Sequence, residues 1–257
     1  MVKMERDPSP PRPGTEPAIL LIAHGSARYP DAARPAMAQM ARLRAALPGH
    51  AVALGLLAGQ PSVAEALSGI GGADIRAVPF FMEEGYFVRA AIPRAIGPAP
   101  RVTLCPPVGV HPHMADLIAR HAHDGCSALG LVPATTAVLL VGHGSASAPG
   151  RTLALHRHAG SLAASGDFAA VRFAHLEEAP LLENALAALR PWPVAVIGVF
   201  AGEGAHMRDD VPLALAAETA ARAGAGGPVH NLGSVADNPA LVRIILAQAG
   251  LAQSTAG

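Results

Sequence analysis

An internal repeat is the feature that most limits how this chain can fold. The segment AILLIAHGSARYP at residues 18–30 recurs as AVLLVGHGSASAP at residues 137–149, which places His24 and His143 at matching positions 119 residues apart. Self-similarity at one fixed offset indicates a duplicated structural unit. The offset continues without a gap and pairs Pro61 with Pro180, Phe81 with Phe200, Glu84 with Glu203, Arg89 with Arg208, and Pro93 with Pro212.

Within each copy, apolar runs alternate with Ala- and Leu-rich stretches. We predict strands at residues 18–23, 51–57, 75–81 and 102–105, and again at 137–142, 169–176, 194–200 and 228–232. Helices are predicted between them, with Pro61 and Pro180 in the first turn of one helix per copy. This alternation is typical of parallel sheets covered on both faces. The expected fold is α/β, with two tandem-duplicated flavodoxin-like or Rossmann-like lobes at residues 17–130 and 131–257 after a disordered Pro-rich leader at 1–16.

The composition excludes several classes of function. Among 257 residues, 19 Lys and Arg balance 19 Asp and Glu, which argues against a nucleic-acid binder. No apolar run is long enough for a membrane span. Two cysteines without a CxxC motif, and a leader without an apolar core, favour a cytoplasmic protein. Since fused lobes can build a cleft within one chain, we expect a monomer or weak homo-oligomer.

Two histidines stand where α/β proteins bind ligands, at the carboxyl ends of their first strands. These are His24 and His143. In the second copy, the loop after the third strand adds His206, and a flavodoxin-like strand order would bring His206 next to His143. Neutral imidazoles suit Co²⁺, Fe²⁺, Ni²⁺ or Zn²⁺. Glu203, or the neighbouring carboxylates of residues 177 and 178, could add an oxygen ligand.

Structural roles compete with these interpretations. A single histidine at a strand end is more often a hydrogen-bonding residue than a ligand, and His175 lies inside a predicted strand. Gly144 and Ser145 could simply form a turn and cap the next helix. Arg89 and Arg208 could grip a carboxylate or form surface salt bridges. The remaining conspicuous histidines are expected to be solvated helix or loop residues: His111, His113, His121, His123, His156, His158 and His230.

Two motifs resemble those of a known family. A strand ending in His-Gly-Ser and the later segment GAHMRDDVP at residues 204–212, in a duplicated α/β unit, resemble the class II tetrapyrrole chelatases, most closely the CbiX-like sirohydrochlorin chelatases. The resemblance covers residues 18 to about 220. It implies a chelatase-type fold with two lobes facing across a cleft. It also implies insertion of Co²⁺ or Fe²⁺ into sirohydrochlorin, towards cobalamin or sirohaem.

The first copy departs from this pattern. Phe87 stands where His206 stands in the second copy, and Ala90 and Ala91 replace Asp209 and Asp210. We therefore expect one working lobe, the second, while Phe87 offers an apolar wall to the macrocycle. Within that lobe His143 and His206 are the predicted metal-holding and catalytic residues, with Glu203 as a weaker candidate. The predicted substrate-binding residues are Arg208, Arg89, His24, Ser145 and Phe87.

The expected activity is that of a lyase that inserts a divalent metal into a tetrapyrrole. The metal is a substrate, Co²⁺ first and Fe²⁺ or Ni²⁺ next, and no organic cofactor is expected because the glycines form no nucleotide-binding fingerprint. His143 could also accept a pyrrole proton as a general base. Two alternatives remain open: a non-catalytic metal or tetrapyrrole carrier, and a hydrolase that uses Ser145 although a GxSxG elbow is absent.

Overall fold

Two four-stranded parallel sheets form the framework of the protein. The computed structural model describes residues 16–70, 74–146, 150, 152–202, 210–222 and 226–251. The first sheet has the order β2-β1-β3-β4 and the second the order β6-β5-β7-β8, so the predicted duplicated α/β fold is confirmed. The strands are β1 (Ala18–Gly25), β2 (Val52–Ala58), β3 (Ile75–Pro79), β4 (Val102–Leu104), β5 (Ala137–Gly142), β6 (Ala170–His175), β7 (Val194–Gly198) and β8 (Val229–Ser234).

The helices follow the strands in the predicted alternation. They are α1 (Arg34–Ala46), α2 (Val63–Ile70), α3 (Ile92–Ile96), α4 (Met114–Ala128), α5 (Leu153–Ser165), α6 (Leu182–Ala188), α7 (Val211–Ala221) and α8 (Leu241–Gln248). Pro61 and Pro180 do not open helices as predicted. Each precedes its helix, and its carbonyl accepts a backbone hydrogen bond from the end of the preceding strand. None of the described helices is long and apolar enough to span a bilayer.

The central strands explain why the sheets are stable. Residues 18–23 of β1 and all of β5 are buried on both faces, as expected of Ile-, Leu- and Val-rich strands inside a parallel sheet. β1 lies between β2 and β3 with Ala23 opposite Leu56, and β5 lies between β6 and β7 with Gly142 opposite His175. The two sheets therefore share one register, as the constant offset in the sequence requires.

The two lobes share a central core and exchange their last helices. This core joins the inner faces of both sheets and includes Leu21 of β1 and Leu140 of β5. Helix α4 follows the first sheet but packs on α5 and β7 of the second lobe, whereas α8 packs back on α1. The predicted boundary at residue 130 thus separates the repeats in sequence, while packing crosses it in both directions.

Buried polar contacts also join the lobes. The amide of Gln39 in α1 donates to the Ala236 and Asn238 carbonyls of the second lobe, at 2.9 and 3.0 Å. Nε2 of His158 donates to the Gly109 carbonyl at 2.7 Å. His158 is only 4% exposed, so the prediction that it is solvated is wrong. A histidine on an amphipathic helix looks solvent-facing until a second lobe covers that helix.

Candidate functional site

Two glycine turns present the histidines at the carboxyl ends of β1 and β5. His24 lies near the end of β1, His143 directly follows β5, and both side chains are exposed. Gly25 and Gly144 follow with φ of +68° and +76°, a region in which a side chain is strained. The sequence prediction of sharp turns at these two points is therefore confirmed.

In the second lobe a carboxylate lies beside the exposed imidazole. Nδ1 of His143 is 3.7 Å from Oε2 of Glu177, and both side chains are about half exposed, at 52% and 40%. Two atoms that each lie about 2.1 Å from one ion can be at most about 4.2 Å apart, so this spacing is compatible with a shared divalent metal. The pair is open to solvent.

A buried polar network lies behind this turn. Oε2 of Glu178 accepts a hydrogen bond from the backbone N–H of Ser145 at 3.0 Å, and Oε1 accepts from the Thr152 hydroxyl at 3.0 Å. Because that hydroxyl donates to Glu178, it accepts from Nε2–H of His175 at 2.9 Å. His175 is fully buried and Glu178 is 8% exposed. His175 thus supports the turn from behind and does not face solvent.

These surroundings fix the charges of the network. Burial lowers the pKa of His175 and outweighs the opposing effect of the Glu178 carboxylate, so the imidazole is neutral near pH 7. Burial alone would raise the pKa of Glu178. The hydrogen bonds from Ser145, Thr152 and the backbone of Gly150, together with the neighbouring His175, outweigh it, and the pKa of Glu178 lies below its usual value. Glu178 is therefore an anion that accepts hydrogen bonds through both oxygens.

The first lobe supplies a cap for the helix that carries Thr152. The two carboxylate oxygens of Glu83, from the loop after β3, accept the N–H groups of Ala154 and Leu155 at 3.1 and 2.9 Å. Thr152 is the N-cap residue of α5, but its hydroxyl bonds to Glu178 and makes no cap. Glu83 performs that role from the other lobe, and burial raises the pKa of Glu83. Ser145 is therefore not the N-cap residue of α5.

Aromatic side chains surround the histidine of the first lobe. The Phe87 ring lies edge-on to the His24 ring with centroids 4.5 Å apart, and it also contacts Phe81 and Tyr86 at 6.0 and 5.7 Å. Phe87 is 40% exposed and Tyr86 63% exposed. Nδ1 of His24 donates to the Gly25 carbonyl at 2.7 Å, which places the ring lone pair on Nε2. This edge is an exposed aromatic surface.

Arg89 forms an exposed ion pair in the same loop. Its Nη2 lies 3.4 Å from Oε2 of Glu84, with both side chains more than half exposed. A pair of this kind is worth at most about 1 kcal/mol and exchanges readily for another carboxylate. Substrate binding by Arg89 stays a prediction.

Four predicted site residues lie outside the described residues: Glu203, His206, Arg208 and Asp209. Asp210 is described as the N-cap residue of α7. It lines an open groove of about 670 Å³ between α6 and α7, together with Glu177 and Glu183. Among the described residues, no group of three or more His, Cys, Asp or Glu side chains is arranged to hold a metal.

The repeat itself holds the signal for the network that sequence reasoning missed. At the offset of 119 residues, Thr152, His175, Glu177 and Glu178 correspond to Ala33, Leu56, Ala58 and Gly59. These four polar residues of the second lobe are thus replaced by Ala, Leu or Gly in the first, whereas His143 and Ser145 keep their counterparts His24 and Ser26. A position-by-position comparison of the two copies shows these replacements at the carboxyl ends of the strands, where ligands bind in α/β folds.

Comparison with known proteins gives consistent matches. The CbiX family model matches the chain twice, at residues 18–124 and 137–250. A probable sirohydrochlorin cobaltochelatase of Halobacterium salinarum is 24% identical over 222 residues, covering 76% of this chain and 75% of that protein. SirB from Bacillus subtilis with Fe³⁺ has a TM-score of 0.75 at 17% identity, covers 93% of this chain and 96% of its own, and supports the fold alone.

Two solved structures are more similar in sequence. CbiX, described as the terminal enzyme for sirohaem biosynthesis in denitrifying bacteria, is 29% identical with a TM-score of 0.72, over 92% of this chain and all of that one. A multi-domain Deinococcus radiodurans protein with structural similarity to chelatases is also 29% identical, with a TM-score of 0.78 over 95% of this chain. The present chain spans 56% of that larger protein. With both repeats matched by its model, the chain belongs to the CbiX family.

Proposed function

We propose that this protein is a lyase that inserts a divalent metal ion, Co²⁺ first and Fe²⁺ next, into sirohydrochlorin. The observation that carries the proposal is the exposed His143–Glu177 pair at the carboxyl edge of the second sheet. It offers one nitrogen and one carboxylate oxygen 3.7 Å apart, a donor set suited to first-row divalent ions. The named activity of the Halobacterium relative supports cobalt as the first metal to test.

The metal site that we propose is open and shared with the substrate. His143 and Glu177 hold the ion together with His206, for which the sequence motif is the argument. An incomplete protein ligand set leaves positions for the ring nitrogens, as in catalytic sites that keep open positions. Acidic residues of the neighbouring groove, Glu183 and Asp210 among them, favour the approach of a cation over that of a polycarboxylate.

The ring is proposed to rest against the first lobe. Phe87 and Tyr86 form an exposed aromatic surface that can stack on a flat conjugated macrocycle. Arg89 can exchange Glu84 for a substrate carboxylate, and Arg208 can bind another. His24 would contribute an additional polar contact at the edge of this surface. Ser145 would contribute a polar contact from the second lobe.

Insertion also requires that two protons leave the ring. As the metal binds the pyrrole nitrogens, its bonds to His143 and Glu177 break, and these two bases are then free to accept the released N–H protons. An imidazole titrates near neutral pH, so it can both bind a metal and carry a proton in turn. The ring gains a 2+ ion and loses two protons, so its charge is unchanged.

The direct test is insertion with catalytic protein. Sirohydrochlorin in large excess is mixed with Co²⁺, Fe²⁺ or Ni²⁺ under anaerobic conditions, and the change in absorbance is followed. We expect multiple turnovers, fastest with Co²⁺. Binding of one equivalent without turnover would instead identify a carrier. Loss of activity in Ser145→Ala together with hydrolysis of an ester substrate would favour the hydrolase.

A further inference from the structure

We propose that Glu178 is a positioning residue, held by Thr152 and His175, that fixes the turn His143–Gly144–Ser145 and so aims the His143 imidazole at the metal. This inference rests on the proposed function, because it assigns the support of the same site. Glu178 does not face the metal. One carboxylate oxygen accepts the Ser145 N–H and the other the Thr152 hydroxyl, and the side chain is buried.

The geometry of the turn gives this contact its effect. Gly144 lies in the left-handed region, and a Cβ at this position would lie 2.8 Å from Cγ of Glu178 and from Cβ of His175. The turn is therefore packed directly against the network, and its N–H is held by a charged acceptor. A rotation of the turn that moved His143 would break the Ser145 bond. Such charge-assisted bonds are the stronger class of hydrogen bond.

Other hydrogen bonds tie the segment around Glu178 to its neighbours. The Thr152 hydroxyl bonds both Glu178 and His175. The backbone N–H of His175 donates to the Pro180 carbonyl at 2.9 Å, and those of Leu176 and Glu177 donate to the His143 carbonyl at 3.1 and 3.0 Å. The segment that carries Glu177 is thus tied to the residue that it would assist in binding metal.

The first lobe provides an internal comparison. Leu56 and Gly59 occupy the places of His175 and Glu178 there, and a Cβ on Gly25 would meet the Leu56 side chain at 3.2 Å and the Ala58 carbonyl. The polar contacts described at this turn are local: Nδ1 of His24 donates to the Gly25 carbonyl, and the Ser26 hydroxyl accepts the N–H of Tyr29. The turn therefore forms without a buried carboxylate behind it. Among the described residues such a network lies behind the second turn and not the first, which indicates a task beyond folding that we assign to aiming His143.

The test uses Thr152→Val, which removes the hydroxyl while keeping the shape, and Thr152→Ser, which restores it. Glu178→Ala and Glu178→Gln form a second pair, since glutamine still accepts from Ser145 but carries no charge. Glu65→Ala is the control, because Glu65 also accepts a backbone N–H, from Ser62 at 2.8 Å, in the other lobe. Affinity for Co²⁺ is measured by titration of its visible absorption, alongside kcat and KM for insertion and thermal unfolding.

We expect Thr152→Val and Glu178→Ala to weaken Co²⁺ binding by about 10- to 100-fold, the range for residues that orient metal ligands. Their kcat should fall with KM for sirohydrochlorin unchanged, and Thr152→Ser and Glu178→Gln should recover most of the affinity. The proposal would be overturned if folded Thr152→Val bound Co²⁺ with wild-type affinity. It would also be overturned if Glu178→Gln lost as much Co²⁺ affinity as Glu178→Ala, because the charge of Glu178 and not its position would then be what matters. Wild-type protein that binds Co²⁺ but inserts none would refute the proposed function instead.

Discussion

The two His-Gly-Ser turns have the same backbone and different surroundings. In the second lobe the turn rests on Glu178, Thr152 and His175, with Glu177 beside the exposed imidazole. In the first lobe the corresponding side chains are apolar or absent, and His24 lies against aromatic rings. The two copies thus share a scaffold, while the second carries polar groups at its turn and the first an exposed aromatic surface.

The largest expected difference between the lobes concerns the two histidines. His143→Ala should reduce kcat for cobalt insertion by at least about 100-fold, since loss of an orienting residue alone costs about 10- to 100-fold. His24→Ala should leave kcat within about twofold, the range of a surface substitution, and act on KM. Initial rates at saturating sirohydrochlorin measure both. Equal losses in kcat would mean that the lobes share the metal site.

The two turn glycines should separate stability from activity. A Cβ at Gly25 would meet the backbone carbonyl of Ala58 at closer range than a Cβ at Gly144 would meet Cγ of Glu178 and Cβ of His175, which both lie 2.8 Å away. Both carry the strain of a positive φ, about 1–3 kcal/mol. We expect Gly25→Ala to lower the free energy of unfolding more, and Gly144→Ala to lower Co²⁺ affinity more. Urea unfolding measures the stability of each variant and cobalt titration its affinity. A larger loss of stability in Gly144→Ala, or a larger loss of Co²⁺ affinity in Gly25→Ala, would contradict this difference between the turns.

The aromatic surface of the first lobe should affect substrate binding alone. Phe87→Ala is expected to raise KM for sirohydrochlorin about two- to tenfold, which corresponds to the roughly 0.5–1.5 kcal/mol of an aromatic contact. Cobalt affinity should not change. Leu129→Ala, at an exposed apolar residue after α4, is the control. An unchanged KM in Phe87→Ala would contradict the proposal that the first lobe binds the ring.

The smallest expected effect is a pH dependence of the contact between lobes. Burial lowers the pKa of His158 from its ordinary value of 6.5. Because the unfolded chain binds this proton at a higher pH than the folded chain does, the free energy of unfolding is greatest above about pH 6.5 and falls as the pH drops. Melting temperatures between pH 7.5 and 5.5 should fall less steeply in His158→Gln than in the wild type or His113→Gln. Burial also lowers the pKa of His175, so protonation of His175 leaves a smaller fall of the melting temperature with pH in the His158→Gln variant.

The sequence predicted the framework well for a physical reason. Strands buried on both faces, such as β1 and β5, leave a continuous apolar pattern, and a constant offset transfers each assignment from one copy to the other. His143 was found because the ends of parallel strands gather at one edge. Glu177 lies beside it in the structure, and the sequence offered Glu177 only as one of several carboxylates; their role at a metal stays a prediction.

The network behind the turn was not predictable from motifs. Thr152 precedes α5, whereas His175 and Glu178 lie three residues apart at the end of β6, and the hydrogen bonds between these two segments follow from packing that no periodicity encodes. His158 was misjudged for a related reason, because the partner helix α4 comes from the other repeat. The exchange of α4 and α8 between lobes depends on tertiary packing, which local sequence patterns do not report.

The central claim is that each chain holds one metal substrate, in the second lobe. A titration of the full-length wild-type protein with Co²⁺, followed by the visible absorption of the bound ion, tests it directly. We predict one equivalent per chain, retained in His24→Ala and lost in His143→Ala. Two equivalents, or an absorption that disappears in His24→Ala and persists in His143→Ala, would contradict the account.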